Sequence, residues 1–178
     1  FKIKKTPKDF LKDSNIIIWT TTPWTIPANR ALAFNSGIKY SLVEINNLED
    51  FEEKKIIVAT NLLDSVVKAC GIKKFEILKT FNGAEFEGTI CTHPFQSLGF
   101  NFDVPMLDAR FVTLEQGTGI VHCAPSHGPD DFNLCLKHNI PSKYTVDNSG
   151  YYTGEIPFFT KTHVFKADPI VIDKLKEY

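Results

Sequence analysis

A β-branched run at 15 to 20, Asn-Ile-Ile-Ile-Trp-Thr, drives directly into Thr-Thr-Pro-Trp-Thr-Ile-Pro-Ala-Asn at 21 to 29. The first half predicts a strand. Pro23 and Pro27 lack amide donors and fix their own φ, so the second half predicts a stiff turn that leaves that strand. Thr20, Thr21, Thr22 and Thr25 place four hydroxyls on the bend. A second stretch, Gly-Thr-Gly-Ile-Val-His-Cys-Ala-Pro-Ser-His-Gly-Pro-Asp-Asp-Phe at 117 to 132, is built alike, an apolar strand joined to a small polar turn. Two such stretches are expected to form two walls of one pocket.

The rest of the chain is punctuated at short intervals. Tyr40 to Ile45 alternates apolar and polar residues, and Lys55 to Ala59 is apolar and β-branched, so both predict strands; the acidic segment 46 to 53 between them predicts a loop. Leu62, Leu63, Val66, Val67 and Cys70 recur at helical spacing, with Gly71 as a left-handed stop. Phe75 to Phe81, Gly88 to Thr92, Arg110 to Thr113 and Gly119 to Cys123 are further strand candidates. Pro129 predicts the first turn of a helix carrying Asp130 and Asp131 at its positive end. Asn148-Ser149-Gly150 predicts a turn and Asp168-Pro169 the opening of a last helix. Many short strands with few helices predict an α+β fold, mainly β: a closed or nearly closed β-barrel with peripheral α-helices, the alternative being an α+β sandwich. At 178 residues, one domain over 1–178 with a single core is expected.

Composition excludes several classes. A hydrophobic share of 43% with 15 phenylalanines argues against disorder. No apolar run approaches the roughly 18 to 20 residues needed to cross a bilayer, so no membrane partner is expected. The four cysteines, at 70, 91, 123 and 135, show no CxxC spacing and are expected to be reduced thiols of a cytoplasmic protein. A net charge of −1 does not suit a protein that grips a long nucleic-acid backbone by itself, although a domain receiving one single-stranded end needs few phosphate contacts. The lysines at 2, 4, 5, 8 and 12 read as solvated surface. The opening Phe1 and a last helix without a terminator suggest a piece of a longer polypeptide.

Asp131 is the leading candidate for chemistry. Both acids at 130 and 131 favour a helix N-terminus, but a carboxylate in a turn flanked by His122 and His127 can face a pocket and bind a cationic group such as an α-ammonium. The threonine run is ordinary in a strand; in a proline-stiffened turn its hydroxyls and backbone N–H groups can orient a water or an oxyanion. Asn29 reads as a turn cap or a ribose ligand, and His122 as a structural histidine or a wall limiting side-chain size. Imidazole, thiolate and carboxylate near 122 to 131 would suit zinc, yet His122 and Cys123, adjacent on a strand, point to opposite faces, so no metal is expected. There is no Gly-x-Ser-x-Gly elbow and no complete phosphate-binding glycine pattern, which makes water the expected nucleophile and ATP an unexpected ligand.

The blocks at 19 to 29 and 117 to 132 resemble the two signature blocks of the editing domain of the isoleucyl-tRNA synthetases. Valyl and leucyl relatives carry Thr-Thr-Arg-Pro followed by Glu-Thr or Asp-Thr where this chain has Thr-Thr-Thr-Pro-Trp-Thr. The form Ser-His-Gly-Pro-Asp-Asp-Phe is similar to the bacterial and organellar type, with Ser126 in place of the usual glycine and Phe132 in place of tyrosine. The resemblance implies hydrolysis of misactivated valine, chiefly as valyl-tRNA(Ile), at a second site too small for isoleucine. One methylene distinguishes the two amino acids, and the isoleucyl enzymes are themselves the standard case showing that it supplies only about 1 to 3 kcal/mol at one site. It further implies Thr20, Thr21, Thr22 and Asp131 as catalytic residues, and Trp24, Asn29, His122 and Asp131 as substrate contacts. Asp131 would hold the α-ammonium, the threonines would position water, Asn29 would meet the terminal adenosine and His122 would exclude the larger side chain. Implied partners are the tRNA(Ile) acceptor end carrying valine and the rest of the synthetase polypeptide, in a cytoplasmic monomer. No cofactor is implied for this domain: ATP and magnesium belong to the synthetic core, whose His-Ile-Gly-His and Lys-Met-Ser-Lys-Ser signatures are missing from these residues. The alternative is a module that binds the acceptor end or an amino acid and is inactive in isolation.

Overall fold

The computed structural model describes residues 1–46 and 55–177. The chain divides into two compact units, one built from Phe1–Trp19, Leu32–Cys91 and Pro105–Val121, the other from Thr20–Ala31, Thr92–Val104 and His122–Tyr178.

The first unit contains a four-stranded sheet ordered β2 (Asn15–Ile16), β5 (Lys55–Ala59), β4 (Lys39–Ile45), β6 (Phe75–Asn82). β2 runs parallel to β5, whereas β4 is antiparallel to both of its neighbours, with Leu42 opposite Ile57 and Val43 opposite Ile56. These β-branched central strands are buried almost throughout, while β6 is exposed along most of its length. Helix α1 (Leu63–Ala69) buries Leu63, Val66 and Val67, as its spacing predicts, and the chain turns at Gly71 with φ of 67°. The same unit holds β1 (Ile3–Lys5) and most of β7 (Ile90–Thr92), which are antiparallel, and most of β3 (Ala31–Phe34) and β8 (Asp103–Asp108), which are parallel. Its interior is aromatic: Tyr40 packs edge-on against Phe86 at 4.9 Å and donates its hydroxyl to Gly119 O at 2.8 Å. Burial pushes that phenol up to about 12, so it stays a neutral donor. Gly119 has φ of 74°, and a Cβ there would lie 2.3 Å from the Ala59 Cβ, so only glycine fits.

The second unit has few strands. A six-residue 3-10 turn, Pro23–Ala28, follows the threonine run, and β9 (Val121–Cys123) lies beside it through Arg30 N–H donating to Cys123 O at 2.8 Å. Helix α2 (Pro129–Lys137) and helix α3 (Ala167–Glu177) complete the regular structure. The core of this unit collects Ile26 and Ala28 from the turn with Phe95, Phe100, Tyr152, Ile156, Phe159, Val164 and Val171.

Several expectations from the sequence need correction. Among the described residues the strand pairings close no barrel, so the architecture is mixed sheets with helices and the expected barrel closure is not observed. The strand predicted over 15 to 20 pairs only at Asn15–Ile16; beyond it the chain runs unpaired into the proline turn. Arg110 to Thr113 is a turn, and the strand lies earlier, at β8, where Pro105 in its middle argues against a strand when read locally. β1 and β3 were not predicted at all. The loop expected over 46 to 53 falls, apart from Asn46, outside the described residues. Among the described residues no helix is long and apolar enough to cross a membrane.

Candidate functional site

The parts of the two motif stretches that lie in the second unit, from Thr20 and from His122 onward, meet there. Thr25 Oγ1 lies 3.1 Å from His122 Nε2, although 97 residues separate them in sequence. The hydroxyl of Thr25 donates to Thr22 O at 2.8 Å, and the Thr25 N–H reaches the same carbonyl at 3.1 Å. A threonine hydroxyl has one proton, so toward His122 it can only accept. His122 is therefore the Nε2–H tautomer, and its Nδ1 is a buried lone pair with no partner among the described residues. His122 is 8% exposed, and burial, followed by the proximity of His127, pulls its pKa down to about 4. It is neutral at physiological pH.

Trp24 is held from three sides. Its N–H donates to Asp168 Oδ1 at 2.8 Å, its carbonyl accepts the Tyr152 hydroxyl, and its indole meets the His127 ring edge-on at 4.9 Å. His127 is fixed in turn by Thr145, whose Oγ1 is 2.9 Å from Nε2. A tryptophan in a short polar turn would otherwise swing freely; these contacts make it a fixed surface.

Asp131 sits in the first turn of α2, half-buried. Its Oδ2 accepts the Ala124 N–H at 2.8 Å, and the carboxylate lies so close to Gly128 that a Cβ there would be 3.3 Å away. Burial raises its pKa, and the neighbouring Asp130 adds to this, while the Ala124 N–H works in the other direction. A carboxylate short of solvation, with no ion pair among the described residues, favours a cationic ligand. Beside α2 a cleft of about 590 Å³ is lined by His127, Phe132 and the segment from Ser142 to Val146. Ser126, at a position predicted to form a tight turn, donates to Lys143 O at 2.6 Å and so ties that turn to the cleft's far wall.

The predicted residues therefore fall into groups. Thr22, Thr25 and His122 are joined by hydrogen bonds, and Trp24 reaches the second motif through His127. Thr20 accepts the Thr22 N–H at 3.0 Å, and Thr21 is exposed. Among the described residues Asp131 is bonded to Ala124 and not to the threonine turn. Asn29 is fully buried: its amide nitrogen donates to Ala31 O at 2.9 Å and its Oδ1 has no partner among the described residues. Sequence reasoning missed Tyr152 and read Asp168 only as a helix opener; neither has a local signal for a partner more than a hundred residues away.

Comparison with known proteins follows the same outline. A family model described as the editing domain of leucyl-tRNA synthetase matches residues 49–173. The chain is 59% identical over 177 residues to isoleucine–tRNA ligase of Pelagibacter ubique, covering 99% of this chain and 20% of that protein. It is 42% identical over 176 residues to isoleucine–tRNA ligase of Gluconobacter oxydans, covering 97% of this chain and 18% of that protein. The chain thus spans about a fifth of the length of these relatives. Among solved structures, the crystal structure of GlLeuRS-CP1 superposes with a TM-score of 0.65 at 15% identity, over 92% of this chain and 81% of that one. The cytosolic leucyl-tRNA synthetase editing domain of P. knowlesi gives 0.64 at 14% identity, over 92% and 82%. At such identities the likeness concerns the fold.

Proposed function

This chain belongs to the editing domains of the aminoacyl-tRNA synthetases, of the isoleucyl type, and we propose that it hydrolyses the ester of valyl-tRNA(Ile) after transfer of the wrong amino acid. A water attacks the ester carbonyl, the bond to the terminal ribose oxygen breaks, and a proton passes to that oxygen, releasing valine. Asp131 holds the α-ammonium. The hydroxyls of Thr20, Thr21 and Thr22 position the water, Trp24 presents a fixed aromatic face to the terminal adenosine, and the fully buried Asn29 shapes the end of the turn beneath that face through its bond to Ala31 O. His122, neutral and fixed on Thr25, sets the depth of the side-chain pocket. The unpaired acceptor end suits such a site because its last base can be splayed from its neighbours.

The observation that carries this reading is the bond between Thr25 and His122, which unites the hydroxyl-rich turn with the strand leading to Asp131. An ammonium paired with a half-buried carboxylate is a charge-assisted contact, worth roughly 1.5 to 3 kcal/mol. Loss of radiolabelled valine from valyl-tRNA(Ile), followed with the wild-type chain and with Asp131→Ala, tests it. Hydrolysis by the wild type, reduced at least about tenfold in the variant, is expected; equal rates remove Asp131 from the site, and binding of an amino-acid analogue without turnover makes the chain a binding module.

A further inference from the structure

His93 is a buried histidine that the reaction as described does not use. It lies in the second unit, 1% exposed, with its ring stacked on Phe100 at 4.6 Å and 12° and edge-on to Phe102 at 5.4 Å. Its Nδ1 accepts the Phe95 N–H at 3.1 Å, so that nitrogen carries the lone pair. The other nitrogen, Nε2, then carries the proton and donates to Ile26 O at 3.0 Å, across 67 residues of sequence. Burial keeps the ring neutral, drawing its pKa down to about 3, so this donor–acceptor assignment does not change in the working pH range.

Ile26 is the centre of the 3-10 turn Pro23–Ala28, and its carbonyl also accepts the Asn29 N–H at 3.0 Å. Thr25, which precedes it, is the residue on which His122 rests. A turn with two prolines has few amide donors with which to hold itself, so an external donor onto its central carbonyl sets its orientation. We propose that His93 is a positioning residue for the editing reaction: through the Ile26 carbonyl it fixes the turn that carries Thr25, and thereby the place of His122 and the discrimination between valine and isoleucine. This rests on the functional reading given above. His93 touches no reacting atom.

The two nitrogens can be tested separately, because an asparagine amide reaches the place of Nδ1 and a glutamine amide the place of Nε2. His93→Gln retains a donor for Ile26 O and loses the acceptor for Phe95 N–H; His93→Asn does the reverse. With the 178-residue chain, the ratio of valyl-tRNA(Ile) to isoleucyl-tRNA(Ile) hydrolysis is expected to fall about tenfold in His93→Asn and to stay within about twofold of wild type in His93→Gln. A packing role alone would lower Tm in both variants and leave the ratio intact, and that result overturns the proposal. Ring-¹⁵N spectra of the histidines give a second readout independent of turnover. The His122 Nε2–H resonance should move in His93→Asn and hold its place in His93→Gln. If the wild type hydrolyses neither ester, the functional reading fails while the His122 resonance still decides the tether; an unmoved resonance in both variants sinks the tether whatever the activity.

Discussion

The carboxylate of Asp168 accepts the backbone N–H of Trp24 at 2.8 Å, joining the first turn of α3 to the proline turn across 144 residues. With Tyr152 on the Trp24 carbonyl, both polar groups of one peptide segment are satisfied by distant side chains. The last helix is therefore part of what holds the threonine-rich turn. Asp168→Ala leaves that N–H half-buried and unmet and removes an acid from a helix N-terminus. A loss of about 1 to 3 kcal/mol in urea unfolding is expected, with a shift in tryptophan emission. Asp168→Asn, which keeps an acceptor oxygen, should recover most of it; equal losses in both would argue that the charge alone matters.

With His122 as the proposed limit of the side-chain pocket, truncating it enlarges that pocket. His122→Ala should begin to hydrolyse isoleucyl-tRNA(Ile) while still acting on the valyl ester, because the added volume admits one more methylene, a difference of about 1 to 3 kcal/mol in such pockets. Parallel deacylation assays on the two esters check this, and unchanged discrimination rejects the size-limiting role.

Gly119 is under a steric demand independent of the site. Gly119→Ala would force a Cβ to 2.3 Å from the Ala59 Cβ at a backbone φ of 74°. Destabilisation of about 2 to 4 kcal/mol, read as a drop in Tm, is expected. Ala59→Gly in the same chain should recover part of it, because the clash disappears and the backbone strain remains; no recovery would locate the whole cost in the backbone.

Acidification should weaken the fold before ordinary carboxylates titrate. His93 and His122 are held neutral in the folded chain, down to about 3 and about 4, whereas in the unfolded chain they take up protons near 6.5. The unfolded state then binds more protons, so stability is full above about pH 6.5 and falls as pH drops toward 4, by up to about 1.4 kcal/mol per pH unit for each residue. Asp131, raised by burial, binds its proton earlier in the folded state and offsets part of the loss near the acid end. Urea midpoints at pH 8, 6 and 5 measure the slope; His93→Gln should reduce it by about one proton, and a flat profile between pH 7 and 5 would contradict the buried neutral assignment.

The sequence by itself determined a good part of this protein. Apolar patterning located β4, β5, α1 and α2, because burial leaves a local run or stripe of apolar residues, and the turn residues around it marked out β6, which is exposed along most of its length. Pro23, Pro27 and the threonines announced the stiff turn, and the two motif stretches announced the family. What the tertiary structure alone decided is which side chains hold that turn. Asp168, Tyr152 and His93 each bond a backbone group of residues 24 to 26 from 67 to 144 residues away. Their side chains are ordinary in their own surroundings, and a hydrogen bond across the fold leaves no periodic trace in the chain. The lack of barrel closure among the described residues was likewise hidden, since closure depends on which edges pair and not on the strands' composition. The tautomer of His122 follows from one proton on Thr25 already given to Thr22, a fact of geometry that no residue type carries.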